Sequence, residues 1–118
     1  MCHGIFEAKE VSITDMSVEQ FRRTIDVNLT GTFLFVKHFL RNIKASQKPP
    51  AVIIVGSTSG RFGEKYHADC LLGRLTQLIV DSASKSALHY GFLYSLKNEI
   101  VKIHPQGRAN VVAPGWVR

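Results

Sequence analysis

Cysteine is nearly absent: Cys2 and Cys70 are the only two among 118 residues. That excludes the disulfide framework that staples small secreted domains, and two reduced thiols in a cytoplasmic protein are the expected state. Long apolar runs are missing too. None approaches the roughly 20 residues needed to cross a bilayer, so no membrane partner is expected. The opening "MCHGIFEAKE" has neither a basic segment nor an apolar one behind it, and no secretory leader is read there. Repeats, low-complexity tracts and Gly/Ser-rich linkers are all lacking. Acidic residues are scarce, nine against fifteen Lys and Arg, which leaves a net charge of +6. Basic chains hold nucleic acid when their cations cluster and aromatics interleave with them. Here the cations are scattered, with Arg22-Arg23 the only adjacent pair. No nucleic-acid partner is expected, and no metal site is read.

What remains is ordinary globular composition, 45% hydrophobic and 20% charged, in a length that suits one domain. "SVEQ" offers Ser17 as a helix N-cap with Gln20 three residues later, a capping box. Phe21, Ile25, Leu29, Phe33, Val36, Leu40 and Ile43 then recur at helical spacing, which predicts one helix or a pair over 17–44, stopped by "KPP". "AVIIVG" at 51–56 is continuously apolar and β-branched, the pattern of a strand buried on both faces in a parallel sheet. A second helix is predicted over 82–103, with Ala83, Ala87, Tyr90, Tyr94 and Ile100 available for a buried stripe, and "ANVVA" at 109–113 makes a second strand. Helices alternating with buried strands predict an α/β fold with the two strands adjacent and parallel, and residues 1–5 as a third strand. Ligands of such sheets sit at the carboxyl ends of the strands, here Gly56-Ser57 and Ala113-Pro114-Gly115.

These segments resemble the short-chain dehydrogenase/reductase family in order and approximate spacing. "IDVNLTGTFLFVKHFL" is similar to its central helix, and "AVIIVGSTSGRFG" to its serine-bearing strand and loop. "SASKSALHYGFLYSLKNEI" is similar to its lysine-bearing helix, and "ANVVAPGWVR" to the strand and Pro-Gly that close over a nicotinamide. The resemblance implies a partial doubly wound, Rossmann-like parallel sheet flanked by helices. It implies NAD or NADP as cofactor, a small-molecule alcohol or carbonyl substrate, and a homo-oligomer paired through the helices around Asn28 and Lys85. Carried over by position, it assigns Asn28, Ser57 and Lys85 to catalysis, and Gly4, Asn28, Lys85, Pro114 and Gly115 to the cofactor.

In that family a tyrosine phenol donates the proton while hydride comes from the nicotinamide. A lysine four residues on lowers the phenol's pKa and holds the cofactor ribose. The serine hydroxyl stabilises the developing alkoxide, and the asparagine helps hold a water leading to solvent. Taken singly, each residue has a plainer reading. Asn28 satisfies helix backbone groups, Ser57 bonds a turn, Lys85 is a solvated charge and Pro114-Gly115 is a turn.

The tyrosine itself is missing. Asp81 stands four residues before Lys85, and the place about thirteen residues after Ser57 is held by Cys70. The family pattern runs up to Asp69 and resumes at Ser82, so residues 70–80 read as an insertion in a single partial domain spanning 1–118. An unspliced intron accounts for both changes. If Cys70, Val80 and Asp81 are encoded TGT, GTA and GAT, excision from GT to AG leaves TAT and the motif "HADYSASKSALHY". A true surface insertion with loss of function is the alternative. Asp81 is expected to be ionised and paired with Lys85. The family's Gly-rich phosphate-binding turn is found nowhere in the sequence, and of its Asn-Asn-Ala-Gly motif only Gly4 matches. The expectation is therefore the middle-to-late part of an enzyme about twice as long, begun at an internal methionine and inactive as it stands. A non-catalytic remnant, at most an interaction module, is the alternative reading.

Overall fold

A computed structural model of the chain describes residues 4–5, 13–62 and 78–115. The elements run α1 (Val18–Ile25), a π-helical turn (Asp26–Thr30), α2 (Gly31–Ser46), β1 (Ala51–Val55), α3 (Ser59–Phe62), α4 (Leu78–Ser86), a second π-helical turn (Ala87–Phe92), α5 (Leu93–Ile103) and β2 (Arg108–Val112). Ser17 caps α1 by accepting a hydrogen bond from the Gln20 amide at 3.1 Å, as the capping pattern predicts. The helical run continues to Ser46, slightly past the expected end. Gln47 closes it in the left-handed region at φ 53°, because Pro49 bars helical geometry from the residue before it.

The two strands are adjacent and parallel, with Ala51 opposite Arg108 and Val55 opposite Val112. Hydrogen bonds from Arg108 N to the Pro50 carbonyl (2.9 Å) and from Gly56 N to the Val112 carbonyl (2.8 Å) extend the ladder past both ends. The sheet differs from expectation in one respect: its strands are not buried on both faces. Val52, Ile54 and Ala109 point into a core with Val36 of α2 and Leu88, Leu93, Leu96 and Ile100 of the later helices. On the other face Ile53 and Val112 are 54% and 51% exposed. Among the described residues, helices pack on the inner face alone.

The buried stripe of the second helical run also differs from expectation. Ala83, Tyr90 and Tyr94 face solvent, while Ser84, Leu88, Leu93, Leu96 and Ile100 are buried. The five-residue step from Leu88 to Leu93 crosses the second π-helical turn, whose extra residue per turn rotates everything after it. Of the insertion, residues 70–77 lie outside the described residues, and 78–80 form the first turn of α4. Ile79 is exposed, whereas Val80 is 3% exposed and packs inside. Of the third strand expected at 1–5, Gly4 and Ile5 are described; they lie outside the strands and are tied to a helix instead.

Candidate active site

The site is organised around Asn28. It sits in the first π-helical turn with a side chain that is completely buried. Its Oδ1 accepts from the Ile5 amide at 2.8 Å, and its Nδ2 lies 3.4 Å from the Ile5 carbonyl. The same Nδ2 lies 3.1 Å from Asp81 Oδ1 and 3.0 Å from Ser84 Oγ. The amide thus joins the N-terminal segment, α1–α2 and α4 at one point. Gly4 packs tightly there: a Cβ on it would stand 3.0 Å from Lys85 Nζ and 3.2 Å from Asn28 Oδ1. Glycine is what lets the lysine and the asparagine approach this backbone.

Ser57 follows β1 by two residues and begins the loop that turns into α3. Its Oγ accepts from the Ser59 amide at 3.2 Å and from Ser59 Oγ at 2.9 Å, and Ser59 Oγ also lies 3.5 Å from Asp81 Oδ2. A chain of polar contacts therefore runs Asn28–Asp81–Ser59–Ser57. Lys85 stands one helical turn after Asp81 on α4. Gly60 holds α3 close against that helix, since a Cβ there would lie 2.7 Å from the Lys85 carbonyl carbon. Pro114-Gly115 lies across the same end of the sheet: the Thr58 amide donates to the Pro114 carbonyl at 3.0 Å, and Gly115 faces the Thr58 side chain. Asn28, Ser57, Lys85, Gly4, Pro114 and Gly115 thus converge beyond the carboxyl ends of β1 and β2.

Asp81 does not behave as its spacing predicts. Its carboxylate meets Asn28 and Ser59, and Lys85 acts on it through space. Burial pushes its pKa above the ordinary carboxylate value, against the pull of Lys85 and of the hydrogen bonds from Ser59 and Asn28. His89 was not anticipated at all. Four residues after Lys85 and 7% exposed, it receives the Ser57 amide on Nε2 at 3.3 Å. Burial, with Lys85 adding to it, pushes its pKa below the ordinary imidazole value. Ser59 and Ser84 were likewise missed. Only the Lys85 spacing could have flagged His89, because the contact pairs residues 32 apart.

Parallel strands ending in a small-residue loop, with a lysine-bearing helix and a Pro-Gly turn beside it, define an α/β architecture whose residues gather at the carboxyl ends of the strands. The chain belongs to the short chain dehydrogenase family, whose pattern matches residues 2–118. It is 31% identical over 114 residues to cis-4-hydroxycyclohexanecarboxylate dehydrogenase of Sinomonas cyclohexanicum, covering 96% of this chain and 39% of that protein. It is also 31% identical over 102 residues to the 3-oxoacyl-(acyl-carrier-protein) reductase MabA of Mycobacterium tuberculosis, covering 86% of this chain and 35% of the reductase. Among solved structures, 4-hydroxyisoleucine dehydrogenase complexed with NADH superposes with a TM-score of 0.76 at 26% identity, over 98% of this chain and 44% of that one. The chain therefore spans about two-fifths of the length of the relatives it matches.

Proposed function

We propose that these residues are the catalytic segment of an NAD- or NADP-dependent oxidoreductase that interconverts an alcohol and a carbonyl. The segment as written, by this reading, has lost its proton donor. The observation that carries this is the polar chain from Asn28 through Asp81 and Ser59 to Ser57, with Lys85 one turn beyond. A carboxylate occupies the link four residues before the lysine, where a phenol belongs by family resemblance.

The described residues suit the nicotinamide-riboside end of such a cofactor. Lys85 would hold ribose hydroxyls through its ammonium, and Gly4 would keep that space clear. Pro114-Gly115 would cover the ring. A bound nicotinamide supplies or accepts the hydride. Ser57 would present its hydroxyl to the substrate oxygen and stabilise charge as it develops there. Asn28 would fix Lys85's surroundings by clamping the Ile5 backbone. Asp81, when ionised, is an acceptor only and has no proton to give. That defect is worth about 10²- to 10⁴-fold in rate, the usual contribution of a positioned general acid.

The reading covers one partial domain over 1–118 interrupted by an insertion at 70–80. Its partners are a small-molecule alcohol or carbonyl and a second copy of the chain. The homo-oligomer is supported by exposed Phe33, Leu34 and Phe35 on α2 and by Tyr90 and Tyr94 on the second helical run. A cytoplasmic location is part of the same reading; among the described residues no helix is long and apolar enough to cross a membrane. A second reading, a non-catalytic interaction module, draws on the same exposed side chains and on Asp81 itself.

A direct assay separates competence from remnant. Titrated with NADH and NADPH, the 118-residue polypeptide is expected to show no saturable quenching of its Trp116 fluorescence and no carbonyl-dependent oxidation of either cofactor. It holds no Gly-rich turn for the pyrophosphate, and riboside contacts alone are too few to order a dinucleotide. Measurable NAD(P)H oxidation would contradict the reading.

A further inference from the structure

We propose that His89 is a positioning residue, holding Ser57 by its backbone N–H, and that protonating the imidazole releases that serine. The inference rests on the reading of Ser57 as the site's serine. Its physical basis is independent of cofactor and substrate. The Ser57 amide donates to His89 Nε2 at 3.3 Å, so Nε2 must carry a lone pair and any ring proton must reside on Nδ1. Gly56 lies directly against the same ring, and a Cβ there would overlap Nε2. The strand-end dipeptide Gly56-Ser57 therefore rests on the imidazole as on a platform.

The other end of Ser57 is held separately, its Oγ accepting from Ser59. Holding the backbone amide and the hydroxyl from two sides fixes both the loop and the direction of the side chain. Protonation would place an Nε2–H against the Ser57 N–H, two donors facing each other, and the half-buried amide would lose its partner.

The surroundings keep the ring neutral. Within the helical run the groups beside it are Lys85, one turn back, and Tyr90, whose ring lies 6.2 Å away. Farther along α4, Asp81 is engaged with Asn28 and Ser59. Among the described residues, the inner face of the sheet presents Val52, Ile54, Ala109 and Val111. α3 brings Arg61, exposed and stacked over Phe62. Burial opposes a positive charge on the ring, and Lys85 adds to it, in line with the lowered imidazole pKa.

Nuclear magnetic resonance of the isotope-labelled 118-residue chain tests this. Above the His89 midpoint, Nε2 should resonate as unprotonated nitrogen and Nδ1 as protonated. The Ser57 amide should shift with a midpoint equal to that of His89, below the ordinary 6.5. His89→Leu should abolish that titration of the Ser57 amide. His89→Gln, which offers Oε1 as an acceptor, should return the amide close to its parent position without any titration. A protonated Nε2 at neutral pH, or a Ser57 amide unmoved through the His89 midpoint, would overturn the proposal. The tautomer is read on the unsubstituted chain, so it decides the matter even if a variant fails to fold. None of these readings involves turnover, so failure of the catalytic assignment registers in the cofactor assay and not here.

Discussion

Asp81 shows how far spacing alone can mislead about a single residue. Its position four residues before Lys85 implies an ordinary ion pair, yet its oxygens meet Asn28 and Ser59, and burial outweighs the lysine's attraction. A carboxyl whose folded pKa is raised contributes stability at low pH that is lost as pH rises through the folded value. Asp81→Asn keeps an acceptor for Asn28 Nδ2 and removes the charge. The variant should therefore melt above the parent at pH 7, by the equivalent of roughly 0.5 kcal/mol for a partly solvated group. The two curves should merge below about pH 4, where the parent carboxyl is itself protonated. Thermal melts at several pH values decide it, and an Asn variant less stable at pH 7 would mean that the carboxylate's contacts outweigh its burial. That Asp81 stands four residues before Lys85 was legible from the motif, whereas the count from Ser57 leads to Cys70. The hydrogen-bond partners of Asp81 were not, since Asn28 and Ser59 meet it only after three separate elements have packed.

At the scale of elements, the strands and the first cap were readable because their causes are local. Ser17 bonds an amide three residues away, and the β-branched run "AVIIV" reads as a strand, though its alternating burial was not legible. The π-helical turns were not readable. Each inserts a residue into an unbroken helical run, and no proline or glycine pair marks it, so the expected stripe through Tyr90 and Tyr94 is rotated off the core. These turns hold Asn28 and His89, in keeping with the tendency of π-bulges to occur at functional sites. The one-sided burial of β1 gives a sharp test of this packing. Ile54→Ala, at 1% exposure, should cost about 2–5 kcal/mol of stability in denaturant unfolding. Ile53→Ala, one residue away on the open face, should cost less than about 1 kcal/mol. Equal losses at the two positions would mean that the strand is covered on both sides in solution.

For the whole molecule, the order of helices and parallel strands was legible, and the family resemblance came from four motifs in series, around Asn28, Ser57, Lys85 and Pro114-Gly115. What was not legible is what the insertion does structurally. Leucine-rich and without periodicity to anchor it, it gave no sign that Val80 would be buried at the head of α4. The central claim is that a family scaffold carries a carboxylate in place of its acid, and one kinetic comparison addresses it. The 118 residues would replace the corresponding segment of the Sinomonas dehydrogenase, which supplies the remainder of the domain. One chimera would keep residues 70–81 and the other would carry a single tyrosine in their place. Both should bind the nicotinamide cofactor, which also reports folding. The tyrosine chimera should turn over the dehydrogenase's substrate at least about 10²-fold faster, with Ser57→Ala or Lys85→Ala in that chimera abolishing most of the gain. Equal turnover by two cofactor-binding chimeras would contradict the account.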